Sequence, residues 1–160
     1  MTTVGFEHHD HGRCIAEAMT RAERRCAAEK LRLTPLRRRV LEILLSEHRA
    51  MGAYDILAKL RREGLGRQPP IAYRALNFLV AHGFAHKVER LNAFAACMLS
   101  GAEHEPAFLI CRVCRSVAET EAKAATAQLG KTAAEAGFSP ESAVCEIEGL
   151  CPRCTEADVS

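Results

Sequence analysis

Apolar positions in the first half of the chain recur at helical spacing, and in the second half they shorten to strand-like runs. From Arg13 to Lys30, Ile15, Ala18, Met19, Ala22 and Cys26 fall on one face by the i, i+3, i+4, i+7 rule, which predicts an amphipathic helix. Thr34-Pro35 then offers a side-chain cap followed by a proline pre-set for the first helical position, and Leu36, Val40, Ile43 and Leu44 form the buried stripe behind it. A further helix is expected from Gly52 or Ala53 through Ile56, Leu57 and Leu60 towards Gly64, and another from Pro70 to Gly83. Phe84 to Cys97 reads as two short strands joined near Arg90-Leu91-Asn92. Beyond it, Phe108-Leu109-Ile110 is a short apolar run, Glu121 to Ala136 is helical in composition, and Ala143 to Ile147 alternates like a strand.

The helix from Pro70 is apolar over most of its circumference. At about 100° per residue, Ile71, Ala72, Ala75, Leu76, Phe78, Leu79 and Val80 cover well over half of it, leaving a strip of Arg74, Asn77 and Ala81 with Tyr73 at its edge. A helix buried on most sides that shows one narrow face of arginine and asparagine has the form of a recognition helix, because those side chains pair bidentately with guanine and adenine edges. Followed by a two-stranded wing, it predicts a winged helix-turn-helix.

Charge sharpens this picture. The net charge of +2 hides a split: residues 1–97 carry 17 Lys/Arg against 10 Asp/Glu, and residues 98–160 carry 5 against 10. Arg21 to Arg39 holds eight positive residues against Glu23 and Glu29, a stretch suited to a polyanion. At 160 residues the chain has room for one ordinary domain or two small ones. No run approaches the roughly 18 apolar residues of a membrane span, and no secretory leader is legible, so a cytoplasmic location is expected.

In a reducing compartment eight cysteines are expected to be ligands and buried thiols rather than disulfides. Four of them form two C-x-x-C pairs, Cys111/Cys114 and Cys151/Cys154, each able to offer two sulfurs to one zinc ion from a single turn. The 36 residues between the pairs exceed a zinc-ribbon gap, so the ion would clamp an inserted helix and strands. A redox-active pair should follow a strand, start a helix and sit near a base, and neither pair has that setting on sequence grounds. Cys26 and Cys145 suit core positions, Cys14 has no partner by spacing, and His8, His9 and His11 lie in a polar tail over residues 1–12.

Leu33-Thr34-Pro35-Leu36-Arg37, Ala53-Tyr54-Asp55-Ile56-Leu57, Pro69-Pro70-Ile71-Ala72-Tyr73-Arg74-Ala75-Leu76, Gly83-Phe84-Ala85-His86-Lys87-Val88-Glu89 and both cysteine pairs occur in that order. In these blocks the chain resembles the ferric uptake regulator (Fur) family and, within it, the zinc uptake regulator branch. The resemblance implies an α+β protein, with a winged helix-turn-helix and hinge over 13–97 and a small α/β dimerisation domain with a four-cysteine zinc site over 98–160. It implies a homodimeric repressor of zinc-uptake genes, not an enzyme, that binds a palindromic operator in double-stranded DNA and takes no small-molecule substrate. It further implies a second, regulatory zinc at His86, Cys97, His104 and Glu119, hence two ions per subunit, and DNA contacts from Tyr54, Arg74, Tyr73 and Arg37.

The alternative within the family is an iron or peroxide sensor. Two imidazoles, a thiolate and a carboxylate suit tetrahedral zinc, whereas an iron-type site would use His and Asp/Glu without sulfur. No H-E-x-x-H and no H-x-E of the deaminase type occurs at His104-Glu105, which leaves a zinc hydrolase without its signature. The chain departs from the family pattern at Ile71-Ala72, where Thr-Val is usual, at Met98, where relatives of this branch often have histidine, and at Arg115, where glycine is usual.

Overall fold

The computed structural model describes residues 5–6, 11–47, 49–99 and 104–158. The expected histidine tail falls largely outside them. His8 and His9 are not described, and of His11 only the backbone is. The chain divides into two compact units, Glu7–Cys97 and Met98–Ser160 with Met1–Phe6.

In the first unit, α1 (His11–Ala28), α2 (Pro35–Ser46), α3 (Ala53–Arg62) and α4 (Pro69–Ala81) precede a hairpin of β1 (Ala85–Val88) and β2 (Ala93–Ala96). Thr34 caps α2 by accepting from the Arg37 N–H, with Pro35 just inside the helix, as its sequence predicts. Gly83 ends α4 at φ 72°, donating to Val80 O while Phe84 N–H donates to Leu79 O. Those two bonds satisfy carbonyls the helix end would leave open, and the left-handed backbone they require suits glycine.

A single core joins these elements. Val40, Ile43 and Leu44 of α2, Ile56, Leu57 and Leu60 of α3, and Ala72, Ala75, Leu76 and Leu79 of α4 are buried together with Ala85, Phe94 and Ala96 of the hairpin. Each large aliphatic among them is worth roughly 1.5–3 kcal/mol of transfer free energy. This packing sets the rotation of α4. Met51, in the turn before α3, exchanges both backbone bonds with Phe94 at 2.8 Å, so the wing is tied to the helix-turn-helix.

The second unit is a three-stranded sheet in the order β4-β3-β5. β3 (Pro106–Cys111) lies antiparallel to β4 (Val117–Glu121) and parallel to β5 (Cys145–Gly149). The parallel pair needs a crossover, which α5 (Lys123–Glu135) provides. Glu121 therefore ends a strand and does not open the helix. Its neighbours alternate too weakly for period to separate the two, and pairing with Pro106 decides it. A last helix, α6 (Pro152–Asp158), was not legible from its composition.

Candidate metal centres and nucleic-acid interface

Cys111 is the last residue of β3, and Cys114 lies in the turn that follows. Cys151 follows β5 and immediately precedes α6, which carries Cys154. Because β5 runs parallel to β3, with Cys111 opposite Gly149, the two C-x-x-C segments emerge at the same end of the sheet. The four sulfurs all lie within 4.8 Å of one another. Cys114 Sγ and Cys151 Sγ are 3.6 Å apart, close to the roughly 3.8 Å edge of a tetrahedron with Zn–S near 2.3 Å. Number, type and spacing of donors fit zinc.

The second pair does follow a strand and start a helix, two of the three marks of a redox motif, because α6 begins directly after Cys151. Its sulfurs nevertheless converge with a second pair, which an isolated redox dithiol does not require.

The thiols are unequal. Burial pushes the Cys111 thiol up, but the N–H groups of Cys114, Cys151 and Val113 point at its sulfur and together bring it down to about 6. The Cys154 N–H likewise holds Cys151 below the ordinary thiol value, against burial. Cys154, in hydrogen-bond contact with the Cys151 side chain and partly desolvated, is raised to about 12. One centre thus begins as a thiolate while another keeps its proton. Ser116 joins the group: its Oγ lies 3.0 Å from Cys114 Sγ. Nothing in the spacing singled it out.

The remaining cysteines take other places. Cys26 is buried in the first unit's core, its thiol raised chiefly by desolvation. Cys145 begins β5, and Cys14 is exposed.

Of the four expected regulatory ligands, each unit holds two. In the first unit, His86 lies on β1 and Cys97 just after β2, its N–H donating to Phe84 O at 3.0 Å. Phe84 and His86 share a face at the two-residue period of a strand, and Cys97 lies opposite Phe84, so His86 and Cys97 are diagonal neighbours on one side of the wing. In the second unit, Glu119 projects from β4 with only 2% of its surface exposed. His104 Nε2 lies 2.7 Å from its Oε1, and the Met98 N–H donates to its Oε2 at 2.7 Å. A buried carboxylate is costly unless paired, so its partners hold it as an oriented acceptor.

On the nucleic-acid side, α4 turns Tyr73, Arg74 and Asn77 outward, and Tyr54 stands in the first turn of α3, 69% exposed. Among the described residues Arg74 makes no ion pair or side-chain hydrogen bond. The neighbouring basic stretch differs. Arg39 forms a bidentate pair with Glu63, both N···O distances 2.7 Å, and also reaches Glu42. Arg38 pairs with Glu42 and Glu23. Arg37, expected to meet phosphate, lies over the Phe78 ring and donates from Nη1 to Arg32 O. These arginines do face outward, but carboxylates distant in sequence occupy two of them and an aromatic ring the third.

A winged helix with an uncommitted recognition strip, joined in one chain to a four-thiol cluster, defines a metal-dependent DNA-binding protein. Residues 28–148 match the Ferric uptake regulator family, and the chain belongs to it. It is 38% identical over 143 residues to the zinc uptake regulation protein of Escherichia coli (strain K12), covering 89% of this chain and 84% of that one. The solved structure described as "Zinc Uptake Regulator Complexed With Zinc AND DNA" is similar at 37% identity and a TM-score of 0.86, covering 91% of this chain and 98% of that one. That of holo XcZur is similar at 40% identity and a TM-score of 0.79, covering 86% and 96%.

Proposed function

We propose that this protein is a zinc-responsive transcriptional repressor that binds a palindromic operator when zinc is plentiful and so limits expression of zinc-uptake genes. The four cysteines would hold a resident zinc that staples the second unit; such ions commonly contribute on the order of 10 kcal/mol to folding a small metallo-domain. A second zinc, taken by His86 and Cys97 from the wing side and by His104 and Glu119 from the sheet side, would be the signal. One ion drawing donors from both units favours a single arrangement of them, and a ligand shifts a population only by its differential affinity for one conformer.

The observation that carries this reading is the buried Glu119 carboxylate, held by His104 and by the Met98 N–H. A thiol and two imidazoles complete a set of tetrahedral zinc type, which favours zinc over the iron or peroxide alternative. Tyr54, Arg74 and Tyr73 would meet DNA, Arg74 reading a base edge. Arg37, stacked on Phe78 beside the recognition strip, would meet the phosphate backbone.

Homodimerisation is supported by surface left uncovered. α5 buries no residue, Leu129 on it is exposed, and on the edge strand β5 Ile147 is 61% exposed. An edge strand and a helix with apolar side chains in that condition are matched by a second copy of the same surface.

Titrating zinc into protein and a labelled palindromic operator, with metal stoichiometry measured alongside, tests the whole. Operator binding should rise with the second equivalent of zinc per subunit. Binding unchanged by zinc, or driven only by iron, would reject it.

A further inference from the structure

We propose that Ser116 is a positioning residue of the four-cysteine zinc site, its hydroxyl donating to the sulfur of Cys114 and restraining the most exposed of the four ligands. This rests on the reading of that cluster as a zinc site.

The turn after β3 builds the contact. The Cys111 N–H donates to Ser116 O and the Arg115 N–H to Cys111 O, each at 3.0 Å, so the chain reverses tightly between them. Arg115 makes the reversal at φ 63°, a left-handed conformation that costs a residue with a Cβ roughly 1–2 kcal/mol. Ser116 is thereby set opposite Cys111 and its Oγ comes within 3.0 Å of Cys114 Sγ. Only 5% of Ser116 is exposed, so its hydroxyl cannot turn to bulk water for a partner.

The four ligands differ in exposure: Cys111 and Cys151 are buried, Cys154 is half-buried, and Cys114 is exposed. Water, acid and chelators reach Cys114 first, so loss of the ion begins there. A zinc-bound thiolate carries no proton and can only accept, which leaves the serine O–H as donor. That bond draws density from the sulfur and limits its rotation, the two ways an outer partner secures a metal ligand. Loss of such partners commonly costs 10–100-fold in metal affinity.

The test uses full-length protein in a Cys97→Ser background, so that thiolate–metal signals arise from the four-cysteine cluster. Zinc release to excess EDTA, followed with a zinc-sensitive dye, should be about tenfold faster in Ser116→Ala. In the cobalt-substituted form the sulfur-to-metal charge-transfer band should move to longer wavelength, because an unbonded thiolate is the better electron donor, while the ligand-field bands stay tetrahedral. Ser116→Thr, which keeps the hydroxyl, should restore both.

Release at the wild-type rate would overturn the proposal. So would faster release with an unmoved charge-transfer band, which would mark a packing defect only. A parent protein showing no tetrahedral thiolate spectrum would overturn the zinc-site reading itself and this proposal with it.

Discussion

The Arg37 guanidinium lies over the Phe78 ring, 3.8 Å from its centroid, and joins the first turn of α2 to the half-buried flank of α4. The same guanidinium donates from Nη1 to Arg32 O at 2.7 Å, so two contacts fix it. It borders the strip that carries Arg74 and Asn77. Arg37→Ala should therefore lower stability by about 1–2 kcal/mol, combining a cation–π contact with one hydrogen bond. Urea unfolding of the zinc-loaded protein would measure this. Arg37→Lys, lacking the planar fork, should recover only part. A stability equal to wild type in Arg37→Ala would mean that the stack contributes nothing.

Arg74 has no competing partner among the described residues, and α4 is held in rotation by Ala72, Ala75, Leu76 and Leu79 beneath it. Arg74→Ala should weaken operator binding by about 1–3 kcal/mol while leaving random-sequence binding nearly intact. Titrations against both DNAs at one salt concentration check this. An equal loss on the two would show a phosphate contact instead of base readout.

Cys97→Ser removes the sulfur from the proposed regulatory set without touching the four-cysteine cluster. The variant should remain folded with one tightly held zinc per subunit and should not tighten on operator when zinc is added. Metal analysis together with the zinc titration reads both quantities. Zinc-induced tightening that survived the substitution would remove Cys97 from the sensing site.

Proton release on metal binding follows from the unequal thiols. At pH 7 Cys111, at about 6, is already mostly thiolate, whereas Cys154, at about 12, must give up a proton to bind. Zinc uptake by the metal-free four-cysteine site should release protons, but fewer than four. Its apparent affinity should climb as pH rises from 6 to 9, roughly tenfold per pH unit for each proton released. Calorimetry in two buffers of different ionisation enthalpy gives the count. Release of all four protons at pH 7 would contradict a low Cys111.

Much of the first unit could be read from local signals. Thr34-Pro35, the apolar wheel of α4 and Gly83 act through bonds within a few residues, so caps, helices and the wing emerged close to where they stand. The C-x-x-C pairs were equally plain, since metal chemistry demands that spacing. The second unit was harder. Glu121 and Lys123 fall on either side of a strand–helix boundary that only pairing with β3 decides, and α6 has too few residues for a period to show.

The sequence alone determined which donors exist, which helix is buried on most sides, and that a basic half precedes an acidic one, because composition and short-range spacing are sufficient for these. Tertiary structure decided what each polar group spends itself on. It gave Arg38 and Arg39 to Glu23, Glu42 and Glu63, stacked Arg37 on Phe78, buried Glu119 against His104 and set Ser116 beside Cys114. Glu23, Glu63, Phe78 and His104 all lie outside the element whose residue they meet, and where such a group finds its partner depends on how elements pack, which no short window of sequence contains. Glu42 and Cys114 are near in sequence, but which neighbour they meet is set by the fold around them.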